Sequence, residues 1–331
     1  MGQGRVMRSK QLDSGKSPRF AQPATFMRLP HQTDLSGVDV AMLGVPFDSG
    51  TSYRPGARLG PREIRSQSSL IRPYSYFQKI SPFEALTIVD AGDVDAPPVG
   101  IEAAYAAIEA GVARILDAGA IPLVVGGDHS LSLPVLRAVA KVHGPLALVQ
   151  FDAHIDTWGD YFGGRYFHGS PFRRAIEEKI VSPSQYVQVG IRGPMYGEDE
   201  DFKFQRDQDV TTIDIGMVKT DGIAKTLARV RDIVSGAPLY VTFDIDVVDP
   251  AFAPGTGTPE VGGLTSYEAQ ELVRGLGGLP LVACDVVEVA PPFDGPGQIT
   301  ALLAANLMFE FLCVMAHGPA LRPPAGLSPK P

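Results

Sequence analysis

The sequence predicts an α/β domain built on a mainly parallel sheet of about eight strands. Three observations carry this. Short apolar runs rich in β-branched residues alternate with longer segments of helical periodicity, the pattern of repeated strand–helix–strand units. No linker, repeat or low-complexity block divides the 331 residues, so one large domain is expected. Four of the runs, 121–125, 146–150, 239–243 and 280–289, end in acidic residues or histidine, at the carboxyl edge where open α/β sheets bind ligands.

In chain order, residues 1–35 read as a loosely docked N-terminal arm. It carries Arg5, Arg8, Lys10, Lys16 and Arg19 against Asp13, a transit-like charge balance without the amphipathic apolar face of a transit peptide. The domain itself is expected over 36–317. Val38 to Val45 is a strand, followed by a Gly/Pro-punctuated loop, Thr51 to Pro61. Pro61 starts a helix, since proline suits a first helical turn. Strand 86–89 precedes an Ala-rich helix, 101–118, ended by Gly119. Strand 121–125, helix 133–142 and strand 146–150 follow. Residues 158–170 form a Gly/aromatic loop, then come helix 171–179 and strand 186–189. Strand 210–213, helix 222–234, strand 239–243, a Pro/Gly loop, a helix capped by Ser266, strand 280–289 and helix 299–315 complete the domain. Residues 318–331 form a Pro-rich tail.

Composition is that of a globular protein, with 44% apolar and 20% charged residues. The net charge of −8 offers no basic stripe for nucleic acid and mildly favours cationic small molecules. No uninterrupted apolar run reaches the roughly 18–20 residues of a membrane span, so no membrane partner is expected. Cys284 and Cys313 lie in apolar runs and read as buried reduced thiols, which suits a cytoplasmic protein.

The chemistry concentrates at Phe151-Asp152-Ala153-His154-Ile155-Asp156. In an extended backbone alternate side chains share a face, so Asp152, His154 and Asp156 converge just past a strand end. Two carboxylates and an imidazole packed together there call for a cation. Asp244 and Asp246 repeat the spacing, and His129 follows a third strand through Gly126-Gly127. Six ligands with four carboxylates suit two bridged metals. Carboxylate-rich, thiolate-free ligation favours Mn²⁺, with Ni²⁺, Co²⁺ or Zn²⁺ behind it.

With these motifs in hand, the chain resembles the ureohydrolase family, which includes arginases, agmatinases and guanidinobutyrases. The matching segments are Gly126-Gly127-Asp128-His129-Ser130, Phe151 to Asp156, Thr242 to Pro250, Ala253 to Glu260 and Glu288-Val289-Ala290-Pro291-Pro292. The resemblance spans about residues 36–316. It implies a three-layer α/β/α, arginase-like fold, two Mn²⁺ ions and a homotrimer or homohexamer. It also implies that His129, Asp152, Asp156 and Asp244 hold one ion and that Asp152, His154, Asp244 and Asp246 hold the other. Asp152 and Asp244 would bridge.

The same resemblance implies roles around the substrate. Asp156 would take a proton from the nucleophile, His168 would shuttle one to the leaving amine, and Glu288 would grip the guanidinium. Thr258 would help position substrate. Trp158, Asp160 and Tyr161 stand where arginases keep an Asn-containing reader of the amino-acid head, a departure that argues against arginine. The loop Thr51 to Pro61 is similar to that of agmatinases and guanidino-acid hydrolases. Agmatine, cleaved to putrescine and urea, is the first expectation, because Trp158, Asp160 and Tyr161 suit a distal ammonium. The acidic run 198–201 would join them only if folded nearby. The alternative is a guanidino acid (4-guanidinobutyrate, 3-guanidinopropionate or a proclavaminate-type substrate), with Arg165, Tyr53 or Arg72 meeting its carboxylate. A third reading is a metal-binding subunit without catalysis, which the full set of ligands disfavours. A dinucleotide-dependent oxidoreductase needs a Gly-x-Gly-x-x-Gly turn that Gly44 to Gly50 does not supply. A single-zinc deacetylase of related fold would not need the second set of Asp ligands.

Overall fold

The structure is a computed structural model that describes residues 10–318; the end of the tail, 319–331, and residues 1–9 lie outside the described residues. Eight strands form one sheet: β1 (Val40–Val45), β2 (Ile88–Asp93), β3 (Ile121–Gly126), β4 (Leu146–Phe151), β5 (Val181–Ile191), β6 (Thr211–Asp214), β7 (Leu239–Asp244) and β8 (Leu281–Val287). Their spatial order is β2-β1-β3-β8-β7-β4-β5-β6, and each neighbouring pair is parallel. A parallel sheet needs crossovers, and helices supply them. These are α1 (Gly60–Ser68), α2 (Pro82–Ala85), α3 (Ile101–Asp117), α4 (Ser132–His143), α5 (Pro171–Glu177), α6 (Glu198–Asp207), α7 (Ile215–Ile233), α8 (Ser266–Arg274) and α9 (Ile299–His317).

Two apolar cores flank the sheet, giving the three layers. One gathers α3, α4 and α5, through Ile108, Leu136 and Phe172. The other gathers α1, α7, α8 and α9, through Ile64, Val230, Leu272 and Phe311. Strands β3, β4 and β7 are buried along both faces, which is why their sequences run apolar without alternation.

Three local expectations change. The described part of the arm, residues 10–35, is docked: Phe26 and Met27 are fully buried, and Gln11 donates to Met27 and Ile71 carbonyls at 2.8 and 2.9 Å. Arg65 explains the anchorage, since its guanidinium stacks 4.0 Å over Phe26 while bonding Asp90 and Asp93. The helix expected from 222 begins at Ile215, because Asp214 caps Met217 N–H at 2.8 Å, and Gly222, at φ +76°, marks a break within it. The run 198–201 forms the first turn of α6.

Helix α9 is long and apolar enough to cross a membrane by composition, but it is mostly buried in the domain interior. Its one carboxylate, Glu310, is held by Arg274 at 2.5 Å and Gln78 at 2.6 Å. Cys284 and Cys313 are both buried and unpaired.

Candidate metal centre

All three ligand-bearing runs leave the carboxyl edge of the sheet, and they do so by one device. An aspartate at the end of the strand or just past it accepts the N–H of the residue two further on: Asp128 from Ser130 at 3.0 Å, Asp152 from His154 at 2.7 Å and Asp244 from Asp246 at 2.8 Å. These side-chain turns bend the chain at once. Convergence therefore arises from turns and not from the strand-like alternation expected of residues 152–156. Asp156 completes its run at φ +48°, a left-handed backbone rare outside glycine and found where a site over-determines it.

The six expected ligands come together. Asp156, Asp152 and Asp244 place carboxylate oxygens 2.9, 3.1 and 3.2 Å from His129 Nδ1. Asp246 lies 3.0 Å and Asp152 3.6 Å from His154 Nδ1. The ligand atoms fall into two sets, His129 with Asp152 and Asp244, and Asp152 with His154 and Asp246, each within 4.8 Å. Asp152 is shared between them.

The donor set fits divalent cations. His129 Nδ1 and Asp246 Oδ2 are buried without a hydrogen-bond partner, though surrounded by groups of ligand type. Burial first, then repulsion from Asp246 and Asp152, pushes the Asp244 carboxyl well above its ordinary range. Burial and Asp152 push Asp156 up to about 6. Burial opposes charge on both imidazoles, yet the carboxylates hold His129 and His154 well above the ordinary histidine value. The cluster thus carries an excess of negative charge that a bound cation relieves.

Beside it, His168 Nδ1 lies 3.0 Å from Glu288 Oε1, and that oxygen also accepts His129 N–H at 2.9 Å. Ser52 meets the other ring nitrogen, Nε2, through its hydroxyl at 2.6 Å. Burial lowers the His168 pKa, but the Glu288 carboxylate outweighs it and pushes the pKa up to about 9. Glu288 itself sits at φ +62°, just past β8, with its N–H on Gly127 carbonyl at 2.9 Å.

A cavity of about 510 Å³ opens over His168 and Ser52, with Glu288 buried behind them. His154, Asp156, Asp244, His168, Thr258 and Ser52 line it, together with Trp158, Asp160, Tyr161, Phe167, Tyr196 and Glu200. Trp158, Asp160 and Tyr161 therefore line the same cavity as the donor sets. Tyr161 stacks on Phe167, with ring centroids 5.5 Å apart. Arg165, Tyr53 and Arg72 are not among the lining residues, and Arg165 pairs with Glu177 at 3.1 Å.

The acidic run divides. Asp201 turns inward to accept Trp158 Nε1–H at 2.7 Å and Glu200 lines the cavity, while Glu198 and Asp199 pair with Arg206 on the surface. Other groups escaped the sequence reading. Gln150 donates to Asp152 Oδ2 at 2.6 Å and is itself bonded by Tyr186 and Gln188. Asp128 accepts Gly50 N–H at 2.7 Å and so holds the Ser52 loop. Arg192 clamps the loop after β7, on Asp246, Val247 and Glu260 carbonyls at 2.7, 3.0 and 2.7 Å. The inward-facing Gln150 was the one visible signal, a lone amide closing an apolar strand.

A carboxylate-rich pair of donor sets, at the carboxyl edge of an eight-stranded parallel sheet, defines a metal-dependent hydrolase. The chain belongs to the Arginase family, whose pattern it matches over residues 38–314. It is 49% identical to a guanidinopropionase from Pseudomonas aeruginosa, over 93% of this chain and 96% of that one. It is 44% identical to a mitochondrial agmatinase from Gallus gallus, over 88% and 85%. Among solved structures, the proclavaminate amidino hydrolase from Streptomyces clavuligerus superposes with a TM-score of 0.87 at 45% identity, covering 91% of this chain and 99% of that one. The family is dinuclear-metal dependent, and this chain is a hydrolase of the ureohydrolase type, acting on carbon–nitrogen bonds of linear amidines.

Proposed function

We propose that this chain uses two Mn²⁺ ions to hydrolyse the guanidino group of a short linear substrate, and that agmatine, released as putrescine and urea, is the substrate its pocket suits best. The charge of the cavity wall carries this reading. Asp160 and Glu200 stand among Trp158, Tyr161, Phe167 and Tyr196, and among the described residues no lysine or arginine lines the cavity. A distal ammonium gains from carboxylates and from ring faces alike.

His129, Asp152, Asp156 and Asp244 would hold one ion, and Asp152, His154, Asp244 and Asp246 the other. When bound, the ions supply an ionised water near neutral pH and offset the carboxylate charge. Glu288 orients the guanidinium, since a carboxylate matches its paired N–H groups. Asp156 accepts the proton of the attacking water. Water adds to the guanidino carbon, the bond to the alkyl-substituted nitrogen breaks, and that nitrogen leaves with the electron pair. His168, at about 9, is protonated at neutral pH and delivers its proton there. The proton left on the new C–O bond completes the alkylammonium as urea forms, and the proton taken by Asp156 restores His168.

A second reading, a guanidino acid, is supported by the names of relatives such as the guanidinopropionase at 49% identity. The deciding experiment is urea release measured as kcat/KM on agmatine, 4-guanidinobutyrate, 3-guanidinopropionate and arginine, with Mn²⁺ and then Ni²⁺, Co²⁺ and Zn²⁺. Agmatine should lead. A guanidino acid in first place overturns the agmatine assignment, and no urea from any pairing overturns the catalytic one.

A further inference from the structure

Behind the metal centre lies a buried polar group that the reaction above does not use. Asp285, on β8, is fully buried. Ser132 donates to its Oδ2 at 2.6 Å, and the Tyr240 hydroxyl bonds the same oxygen. Its other oxygen, Oδ1, is buried with no hydrogen-bond partner. An ionisable group in such a place is costly unless it serves something.

The candidate for that service is adjacent. Asp285 stands in register with Thr242 of β7, so the two side chains share a sheet face and the unpartnered Oδ1 is the acceptor nearest to hand on that face. Thr242 Oγ1 in turn lies 2.7 Å from His129 Nε2. The opposite ring atom, Nδ1, faces Asp152, Asp156 and Asp244. A histidine that offers the Nδ1 lone pair to a metal carries its proton on Nε2. Thr242 accepts that proton's bond, which leaves its own single hydroxyl hydrogen to be donated onward. Asp285 is the acceptor beside it. The Phe172 ring, edge-on 5.0 Å from the imidazole, packs the same histidine from the side. His154 differs, because its ring lines the cavity.

We propose that Thr242 and Asp285 are positioning residues for His129: a carboxylate–hydroxyl–imidazole relay that fixes the Nε2–H tautomer, aims Nδ1 into its donor set and tightens that set on its ion. The proposal rests on the dinuclear-metal reading. Groups bonded behind a metal-bound histidine act in this way, and their loss typically weakens metal binding roughly 10- to 100-fold.

The test is Mn²⁺ titration of the chelator-stripped full chain, followed by calorimetry and by the electron paramagnetic resonance of free Mn²⁺. Thr242→Val keeps the shape of the side chain and removes the hydroxyl, Thr242→Ser keeps the hydroxyl, and Asp285→Asn removes the charge. Thr242→Val and Asp285→Asn should each weaken one of the two ions roughly 10- to 100-fold and leave the other unchanged. Thr242→Ser should restore wild-type binding. A Thr242→Val chain that binds both ions as tightly as wild type overturns the relay. So does equal weakening of both ions with no recovery in Thr242→Ser, which would mark general damage to β7. A wild-type chain that takes up no Mn²⁺ instead overturns the metal reading, and the relay with it.

Discussion

The indole N–H of Trp158 donates to Asp201 Oδ1 at 2.7 Å, across 43 residues of sequence. Asp201 is almost fully buried, and its second oxygen accepts Gly197 N–H at 2.8 Å. The bond ties the loop after the central ligand run to the first turn of α6. It thereby sets the angle of one wall of the substrate cavity.

Asp201→Ala should free that wall. The bond to a buried carboxylate is worth about 1.5–3 kcal/mol, so KM for the preferred substrate should rise roughly 10- to 100-fold while kcat falls much less. Steady-state urea release gives both constants. A fall confined to kcat would show that Trp158 does not contact the substrate tail.

Charge on the same wall should decide the tail. If the substrate ends in an ammonium, Asp160→Asn with Glu200→Gln should raise KM for agmatine and flatten its dependence on salt. If the double variant instead improves 3-guanidinopropionate and leaves agmatine unaffected, the cationic-tail reading is wrong.

Removing one ligand should show which sets are shared. Asp152 belongs to both donor sets and Asp246 to one. Asp152→Ala should therefore lose nearly all bound metal, whereas Asp246→Ala should keep about one ion per chain. Metal analysis after gel filtration measures this. In the wild-type chain, ions at about 100 times their Kd should add roughly 2.7 kcal/mol of stability, visible as a drop in Tm on chelation.

His168 should give the stripped protein a pH signature. Its folded pKa is raised from 6.5 to about 9, so the pairing with Glu288 stabilises fully below about 6.5 and is lost as pH rises through 9. Melting curves of the stripped wild type between pH 6 and 10 should show this decline, and His168→Gln should flatten it. With metal restored, His168→Gln should keep its ions and lose roughly 10²- to 10⁴-fold in kcat. A variant as active as wild type would remove His168 from the proton path.

Arg65 should matter far from the chemistry. It bonds Asp90 at 2.8 and 3.0 Å and Asp93 at 2.7 Å while covering Phe26. Arg65→Met leaves the buried Asp90 without its cation and should cost about 3–5 kcal/mol of unfolding free energy in denaturant titration.

Residue patterns within a few positions determined much of this protein. Strand-and-helix alternation, apolar runs buried on both faces and turn-forming glycines and prolines are local signals, and they specify a parallel α/β sheet. The six ligands were legible because each lies at the end of a strand or a few residues past it, where a parallel sheet brings separate segments to one edge. Tertiary structure decided what local pattern cannot encode. Glu288 meets the N–H of His129 across 159 residues, Asp201 meets Trp158, and Asp285 stands in register with Thr242. The first two are single bonds and the third a register pairing between distant segments, and none leaves a periodicity behind. The same holds for the arm: Phe26 and Met27 are buried because Arg65 and Ser68 of α1 lie beneath them, and nothing within residues 1–35 announces that partner. Burial singled out one carboxylate of the charge run, Asp201, while Glu200 stays exposed at the cavity mouth and Glu198 and Asp199 lie on the surface, since water screens a carboxylate that the fold leaves outside and a low-dielectric wall demands a partner for one it takes in.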